Sequence, residues 1–230
     1  MTLTIYNAED IPQGSDAWLE ARRGIVTAST IGQLITDKTV KPAQNDRARG
    51  LHATLIAERI TGRVEPAIPN RAMTRGTLLE DEARREYEKR TGNTVAQIGF
   101  ARLDTDTYTV GASPDGLIGE DGGLEIKCPA PKTHIQTVLS GEIPAYNRAQ
   151  VQASMFVTGR AYWDFCSYLP GEVLYIIRDY PEQRWQTAIQ EAAEGFETIA
   201  RSQVDQYQRN TRGFPKTVFW DPFDTGEEIY

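Results

Sequence analysis

Two charged residues, Glu125 and Lys127, flank an apolar one in the run Gly123-Leu124-Glu125-Ile126-Lys127, a spacing that can form a catalytic pair. In an extended strand, alternate side chains share one face. Glu125 and Lys127 are therefore predicted to point the same way, while Ile126 points into the core. A carboxylate and an ammonium group would then face one cleft.

A second acid lies within reach of that cleft. Asp115 belongs to the turn-like run Ser113-Pro114-Asp115-Gly116, ten positions before Glu125. The intervening Asp121-Gly122-Gly123 is a strong turn signal, so a hairpin can fold Asp115 back beside Glu125. The two carboxylates and Lys127 are expected to converge.

This combination suits metal-dependent hydrolysis of phosphodiesters. Carboxylate oxygens are ligands for Mg²⁺ or Mn²⁺, and a bound ion lowers the pKa of its water. A lysine beside them can orient or deprotonate that water and offset charge in the transition state. An isolated match is nevertheless weak, because charged strand faces are usually just solvated.

Glu80, in Gly76-Thr77-Leu78-Leu79-Glu80, adds a third acid. It falls in a helix predicted from Leu78 to Arg90, which ends before Gly92. The alternative is a solvated helix charge paired with Arg84 four residues later. Spacing alone favours that alternative.

These motifs resemble the phage lambda exonuclease family, the YqaJ-type viral recombinases, within the PD-(D/E)xK superfamily of restriction-endonuclease-like nucleases. The similarity runs from about Ser15 to about Thr158. It consists of four blocks in the family's order, which is far more specific than the core motif alone: Asp16 to Ser29, Gly76 to Arg84, Ala112 to Pro129 and Ala149 to Gln152.

The resemblance implies roles for the acidic cluster. Asp115, Glu125 and the backbone carbonyl of Ile126 match the family's metal ligands, and the match to Glu80 completes the cluster. Lys127 matches the catalytic lysine.

Other matches concern DNA. Gln152 resembles the glutamine that RecB-type nucleases place beside the metal site, with a structural helix glutamine as the alternative. Met73 falls where the family uses an apolar wedge between the end base pairs, although here it is Met and not Leu. Four residues match positions that bind a terminal 5′-phosphate: Arg22, Ser29, Arg71 and Ser113. Ordinary surface arginines and turn serines are the alternative.

The resemblance also implies an activity. The family digests one strand of duplex DNA from its 5′ end, processively, as a homotrimeric ring around the DNA. We therefore expect a Mg²⁺-dependent 5′-to-3′ exonuclease that leaves 3′ overhangs for homologous recombination or single-strand annealing. The setting would be a phage or prophage in the bacterial host cytoplasm, with an annealing protein as a partner. The alternatives are a sequence-specific restriction endonuclease and a non-catalytic clamp that loads a partner at DNA ends.

Composition limits other interpretations. The 230 residues, 40% of them hydrophobic, favour a single domain over residues 1–230, and the resemblance implies that it is an α/β nuclease domain. Two cysteines and two histidines argue against a disulfide framework or a histidine metal cage. No hydrophobic stretch is long enough for a membrane span. The acidic segment 221–230 is expected to be a disordered tail, and the alternative is a peptide that docks on a partner protein.

The net charge of −7 is unusual for a DNA-binding protein. Its distribution is uneven, because residues 21–75 hold ten Lys and Arg against four Asp and Glu. Residues 181–230 hold five against nine. The DNA-contacting surface is therefore expected in the N-terminal part.

Hydrophobic periodicity predicts a mixed sheet flanked by helices, as in the restriction-endonuclease-like core. Helices are expected near residues 16–35, 46–61, 78–90, 144–157 and 182–208. Strands are expected near residues 95–103, 108–112, 124–127, 162–168 and 173–179. Residues 38–46 and 64–70 are expected to be loops.

Overall fold

The computed structural model describes residues 1–64 and 71–220. The acidic segment 221–230 and all but the first residue of the predicted loop 64–70 lie outside the described residues. Strands in the described part are β1 Thr2–Asn7, β2 Val26–Thr27, β3 Val95–Ala96, β4 Ile98–Asp104, β5 Thr109–Ala112, β6 Gly116–Ile118, β7 Gly122–Lys127, β8 Tyr162–Ser167 and β9 Tyr175–Asp179. The helices there are α1 Asp16–Arg22, α2 Ala28–Ile31, α3 Asp46–Thr61, α4 Arg71–Thr91, α5 Pro131–Ser140, α6 Ala145–Thr158 and α7 Gln183–Asn210.

The strands form two mixed sheets. One has the order β1-β4-β5-β2 and the other the order β3-β6-β7-β8-β9. The pairs β2–β5 and β7–β8 are parallel, and the other neighbours are antiparallel. The predicted mixed α/β class is confirmed, with the strands shared between two sheets instead of one central sheet.

Helix α6 packs against strands of both sheets and against α2 and α7. Most of its side chains are buried, including Val151 and Met155. A second, smaller apolar cluster lies between α4 and β7 and contains Tyr87, Leu124 and Ile126. Fully burying side chains of this size contributes about 1.5–3 kcal/mol each. The strand that carries Glu125 and Lys127 is thus held by packing on α4.

The predicted helix over residues 16–35 is wrong. Helix α1 starts after Ser15, whose hydroxyl accepts a hydrogen bond from the Trp18 amide, and it ends at Arg22. Gly24 then adopts a left-handed conformation with φ of +65°, which a helix interior does not allow. The chain turns there into β2 and the short α2.

Several other boundaries also differ from the sequence prediction. Helix α4 begins at Arg71 and not near Leu78, because Gly76 lies inside the helix and does not end it. Helix α5 was not predicted, although Pro131 occupies its first position, where proline is favourable. Strand β1 was also missed. It is an edge strand paired with β4, and none of its residues is buried, although Leu3 and Ile5 alternate with threonines as in a strand.

The remaining predicted helices match closely, since α3, α6 and α7 begin and end within about two residues of expectation. The predicted strand over residues 95–103 is divided at Gln97 into β3 and β4, which join different sheets. In the ranges 1–64 and 71–220, no helix is both long and apolar enough to cross a membrane.

Candidate active site

The hairpin of β6 and β7 brings Asp115 beside Glu125. The strands are antiparallel, with Gly116 opposite Leu124. An Asp115 carboxylate oxygen, Oδ2, accepts a hydrogen bond from the Ile126 amide at 2.5 Å. Lys127 Nζ lies 2.5 Å from Glu125 Oε1. The structure therefore places both carboxylates and the ammonium group together, as the spacing predicted.

Contacts with two residues outside the hairpin, Arg160 and Trp163, support it. Arg160 donates from Nη1 to the carbonyl oxygens of Gly119 and Gly122, each at 2.7 Å, across the turn. On β7, Gly123 lies against the ring of Trp163, which a Cβ atom would approach to 2.2 Å. The glycine thus allows the close strand packing that positions Glu125.

The two oxygens of Glu125 have different surroundings. The residue is only 1% exposed. Oε1 accepts from Lys127 and, at 2.6 Å, from Gln150 Nε2. Oε2 is buried and has no hydrogen-bond partner among the described residues. A buried carboxylate oxygen without a partner is costly, and a cation would relieve that cost.

Burial raises the pKa of all three acids, and neighbouring acids add to the shift at Glu125 and Glu80. Burial raises the pKa of Glu125 to about 7, with Lys127 opposing the shift and Asp115 adding to it. Burial and the charge of Asp115 raise the pKa of Glu80 to about 7. Burial likewise raises the pKa of Asp115, opposed by Lys127 and the Ile126 amide. These interactions place Glu80 in the same electrostatic cluster.

The pKa of Lys127 is also raised, but by its neighbours and not by burial. Burial alone would lower the pKa of Lys127, but the charges of Glu125 and Asp115 outweigh burial and raise this pKa. The lysine is therefore protonated at neutral pH. An ammonium group is suited to orient water and to stabilise negative charge on a phosphate.

The donor set fits a hard divalent cation. In residues 1–64 and 71–220, no three His, Cys, Asp or Glu side chains are grouped closely enough to hold a metal alone. The three predicted acids, Glu80, Asp115 and Glu125, are therefore not close enough to bind one ion together. The smaller predicted set is Asp115 and Glu125 with the Ile126 carbonyl. Mg²⁺ usually keeps several waters and takes only one or two carboxylates, so this smaller oxygen set suits it. The unpartnered Oε2 of Glu125 is the observation that favours a cation here.

The hydrogen bonds of Gln152 do not involve the acidic hairpin. Gln152 is fully buried, and its amide nitrogen donates to Asp179 at 2.9 Å and to the Tyr180 carbonyl at 2.8 Å. Gln150 contacts Glu125 instead. Two positions along a helix differ by about 200°, so these glutamines lie on opposite sides of α6. Both sides are largely buried, and hydrophobic periodicity could not distinguish them.

Three of the four predicted phosphate-binding residues, Arg22, Ser29 and Ser113, come together near the start of α2. Arg22 donates from Nη1 to Ser113 Oγ at 2.9 Å and from Nη2 to Ser29 Oγ at 3.3 Å. These partners are hydroxyls and not carboxylates, so the guanidinium charge is not neutralised by them. Burial lowers the pKa of Arg22 to about 10, partly opposed by Glu58, and the side chain remains charged at neutral pH.

Trp18 completes this group and was not singled out from the sequence. Its ring centroid lies 3.9 Å from Arg22 Cζ, a cation–π contact. Its indole N–H also donates to Ser113 Oγ at 2.9 Å. That oxygen thus accepts two hydrogen bonds, which leaves its own O–H available as a donor. The arrangement presents a guanidinium group and hydroxyls to an anion. The only sequence signal was the position of Trp18 one helical turn before Arg22.

Arg71 and Met73 are on a different element. Both lie in the first turn of α4, and Arg71 lines a surface groove with Thr74, Arg75 and Leu78. The Met73 side chain is 49% exposed. Among the described residues, Arg71 forms no hydrogen bond with Arg22, Ser29 or Ser113. Its assignment to the phosphate site, like the wedge role of Met73, stays a prediction.

The mixed α/β sheets flanked by helices, with an acidic hairpin at their centre, are an example of the restriction-endonuclease-like fold. Residues 17–161 match the model of the YqaJ-like viral recombinase domain, and the chain belongs to this family. The predicted resemblance is confirmed, and the family implies a nuclease acting on DNA.

Solved structures agree with this assignment. The chain is 33% identical to an alkaline exonuclease, LHK-Exo, from Laribacter hongkongensis, with a TM-score of 0.77 over 87% of this chain and 100% of that one. A second structure of LHK-Exo, in complex with dAMP, gives 32% identity with the same coverage and TM-score. A phage-related exonuclease from Haemophilus somnus is 12% identical, with a TM-score of 0.59 over 80% of this chain and 96% of that one, and shows the fold alone. The comparison with curated proteins found no match.

Proposed function

We propose that this protein is a Mg²⁺-dependent 5′-to-3′ exonuclease that acts processively on double-stranded DNA ends and leaves 3′ single-stranded overhangs. Mn²⁺ is expected to replace Mg²⁺. The observation that carries the proposal is the buried, unpartnered Oε2 of Glu125 beside Asp115 and Lys127. Membership in a viral recombinase family supports DNA as the substrate.

Asp115, Glu125 and the Ile126 carbonyl would hold the ion, with Glu80 completing the acidic cluster. When bound, the ion would supply a water of lowered pKa and neutralise charge on the scissile phosphate. Lys127 forms an ion pair with Glu125, and its amino group is protonated at neutral pH. Its ammonium group would orient the attacking water and stabilise negative charge that develops on the phosphate. Gln150, which donates to Glu125 Oε1, would hold that carboxylate in place.

A second group would recognise the DNA end. Arg22, Ser29 and Ser113 present a charged fork and hydroxyl groups, which suit a terminal 5′-phosphate. Trp18 would keep the guanidinium plane in position by stacking on it. Ser113 lies two residues before Asp115 in the chain, so binding of the terminal phosphate there would place the end of one strand beside the acidic hairpin and give the enzyme its direction. Arg71 is proposed as a further contact to DNA, and Met73 as the wedge at the end base pairs.

The wider assignment follows the family. We propose that three copies form a ring around the DNA and that the overhangs serve homologous recombination with a single-strand annealing protein. The reaction would take place in the cytoplasm of a bacterial host, in a phage or prophage setting. LHK-Exo forms a complex with dAMP, a 5′-mononucleotide, and a product of this kind is expected here.

The first experiment compares linear and covalently closed duplex of the same sequence, with Mg²⁺ or with EDTA. Degradation of the linear form alone, with release of 5′-mononucleotides only in Mg²⁺, is expected. Cleavage of the closed form would instead indicate an endonuclease. Binding to ends without any nucleotide release would indicate a clamp.

The second experiment tests the end recognition with 5′-phosphorylated and 5′-hydroxyl linear duplexes. Arg22→Gln should slow digestion of the phosphorylated duplex by roughly 10- to 100-fold, since a hydrogen bond to a charged group contributes about 1.5–3 kcal/mol. The hydroxyl substrate should be affected much less. Arg23→Gln is the matched control, because Arg23 bonds Glu20 and the Gly62 carbonyl instead. A phosphate preference that survives Arg22→Gln would remove Arg22 from the site.

A further inference from the structure

Arg84 is a buried arginine whose five N–H groups all have acceptors. Its Nε donates to the backbone carbonyl of Asp115 at 3.3 Å. Its Nη1 donates to Asp81 at 2.6 Å and its Nη2 to Glu80 at 2.5 Å. With the Gln97 amide oxygen turned toward Arg84, that oxygen accepts from Nη1 at 2.8 Å and from Nη2 at 3.0 Å. A guanidinium group has five N–H donors, so its capacity is fully used.

These acceptors belong to three separate elements. Glu80 and Asp81 are on α4, Asp115 lies between β5 and β6, and Gln97 lies between β3 and β4. Only 9% of the Arg84 side chain is exposed. A planar, buried fork with every donor engaged has little freedom to move. It therefore fixes α4 relative to the start of the catalytic hairpin.

We propose that Arg84 is a positioning residue, which holds the Glu80 carboxylate and the Asp115 turn in the fixed arrangement that the metal site of Asp115, Glu125 and the Ile126 carbonyl requires. This inference rests on the proposed metal-dependent nuclease function. Arg84 touches the acids and not the substrate, so its role is to place them. Lys127 differs, because its ammonium group contacts Glu125 from the same strand.

The physical reason is repulsion between acids on different elements. Without a counterion, Glu80 and the hairpin carboxylates would move apart, and neither α4 nor the turn has a covalent link that prevents it. The positive charge of Arg84 offsets this repulsion, and its geometry sets the distance. Lysine would keep the charge but has three donors on a flexible stem, and could not bond all three elements at once.

The test compares Arg84→Lys with Arg85→Lys. The control residue is the exposed neighbour on α4, and both changes preserve charge. Two quantities are measured: the Mg²⁺ concentration that gives half-maximal single-turnover cleavage, and the rise in Tm that Mg²⁺ causes without DNA. Loss of groups that orient metal ligands typically costs 10- to 100-fold in metal affinity or activity. Arg84→Lys should therefore raise the half-maximal Mg²⁺ concentration by about 10-fold or more and reduce the Tm rise, while Arg85→Lys changes neither.

A double-mutant cycle separates positioning from general stability. If Arg84 acts through Glu80, the effect of Arg84→Lys on the Mg²⁺ requirement should shrink by at least about threefold in a Glu80→Gln background. An undiminished effect in that background would contradict the proposal. Equal Mg²⁺ requirements for Arg84→Lys and Arg85→Lys would also overturn it.

Gln97→Ala provides a second route if Arg84→Lys does not fold. It removes one exposed acceptor of the fork and leaves α4 unchanged, and it should raise the Mg²⁺ requirement in the same direction by a smaller factor. An unchanged requirement in Gln97→Ala would then overturn the proposal. Failure of the proposed function has a different signature, because wild-type protein would show no Mg²⁺-dependent cleavage and no Mg²⁺-induced rise in Tm.

Discussion

At the scale of residues, the difference between the two oxygens of Glu125 carries most of the functional argument. One oxygen is engaged by Lys127 and Gln150, while the other is buried without a partner in the described part of the chain. Such a group destabilises the metal-free protein unless something binds it. The candidate metal site is therefore also a candidate site of ligand-dependent stabilisation.

The first prediction follows from this linkage. Mg²⁺ should raise the Tm of the wild-type protein, because a ligand at about 100 times its Kd stabilises the folded state by about 2.7 kcal/mol. Asp115→Asn and Glu125→Gln should each abolish most of that rise and nearly abolish cleavage. Thermal unfolding with and without Mg²⁺ measures the effect. Asp121→Asn, an exposed acid in the same hairpin, is the control. An undiminished rise in the first two variants would show that the ion binds elsewhere.

The second prediction distinguishes the two glutamines of α6. Gln150→Ala removes a hydrogen bond to Glu125 and should lower the single-turnover rate by about 10-fold or more with little change in Tm. Gln152→Ala should instead lower Tm, because it leaves the Glu182 amide and Asp179 without a buried partner, at a cost of about 1–3 kcal/mol. The single-turnover rate and the Tm of both variants distinguish a role at the active site from a role in stability. The reverse pattern would restore Gln152 to the site.

At the scale of elements, the break between α1 and α2 creates the candidate phosphate site. Arg22 ends α1 and Ser29 belongs to α2, so an unbroken helix over these residues would point them differently. Gly24 produces the break through its positive φ. Its amide donates to Glu58 at 2.6 Å and its carbonyl accepts from Arg59 at 2.7 Å, so α3 holds the turn in place.

The third prediction concerns this turn. Gly24→Ala should destabilise the protein by more than the roughly 1–2 kcal/mol of a left-handed alanine, because the new Cβ would lie 2.4 Å from Arg59 Cγ. It should also reduce the preference for 5′-phosphorylated ends. Gly159→Ala is the matched control, since its φ is +68° and a Cβ added there would meet no atom within 4 Å. Urea unfolding of both variants measures the difference. Equal losses would mean that strain alone, and not the contact with α3, matters at Gly24.

The fourth prediction uses the packing of α3 on α7. The His52 ring lies 5.5 Å from the Phe196 ring, and burial lowers the pKa of His52 below its usual 6.5. In the unfolded chain the ring takes up a proton more readily, so its contribution to stability is present above about pH 6.5 and is lost as pH falls below it. The decrease in Tm from pH 7 to pH 5 should therefore be smaller in His52→Gln than in wild type. Parallel Tm profiles would show that His52 ionises alike in both states.

At the scale of the whole molecule, the two sheets and the helices around them hold β7, the strand that carries Glu125 and Lys127, in a fixed position. Helix α6 contacts both sheets and supplies Gln150 to Glu125. Helix α4 packs on the other side of β7 and supplies Glu80. The acidic hairpin is thus supported by buried elements, which suits a site that must keep a fixed geometry.

The fifth prediction concerns assembly. The proposed ring requires a particle of about three times the chain mass of 25.7 kDa, measured by light scattering after size exclusion. A closed ring should also continue to degrade long DNA after dilution or after competitor DNA is added, because the substrate remains enclosed. A stable monomer that releases DNA after each cut would contradict the ring.

Short-range features of the sequence were sufficient to predict the acidic hairpin. Strand alternation put Glu125 and Lys127 on one face, and the turn signal at Asp121-Gly122-Gly123 predicted the hairpin that brings Asp115 beside them. The turn itself lies at residues 119–121, and both glycines belong to β7. Both effects depend only on neighbouring residues. The ordered motif blocks were enough to predict the family and the fold class.

Contacts between distant side chains, in contrast, depend on how the elements pack. Arg22 and Ser113 are 91 positions apart, and Gln150 and Glu125 are 25 positions apart. These pairs meet because of how α1 and α6 lie against the sheets, and periodicity does not specify that. The contacts of Arg84 also depend on packing, because the local spacing predicted only its ion pair with Glu80. Its bonds to Asp115 and Gln97 exist because the packed fold brings three elements to one guanidinium group.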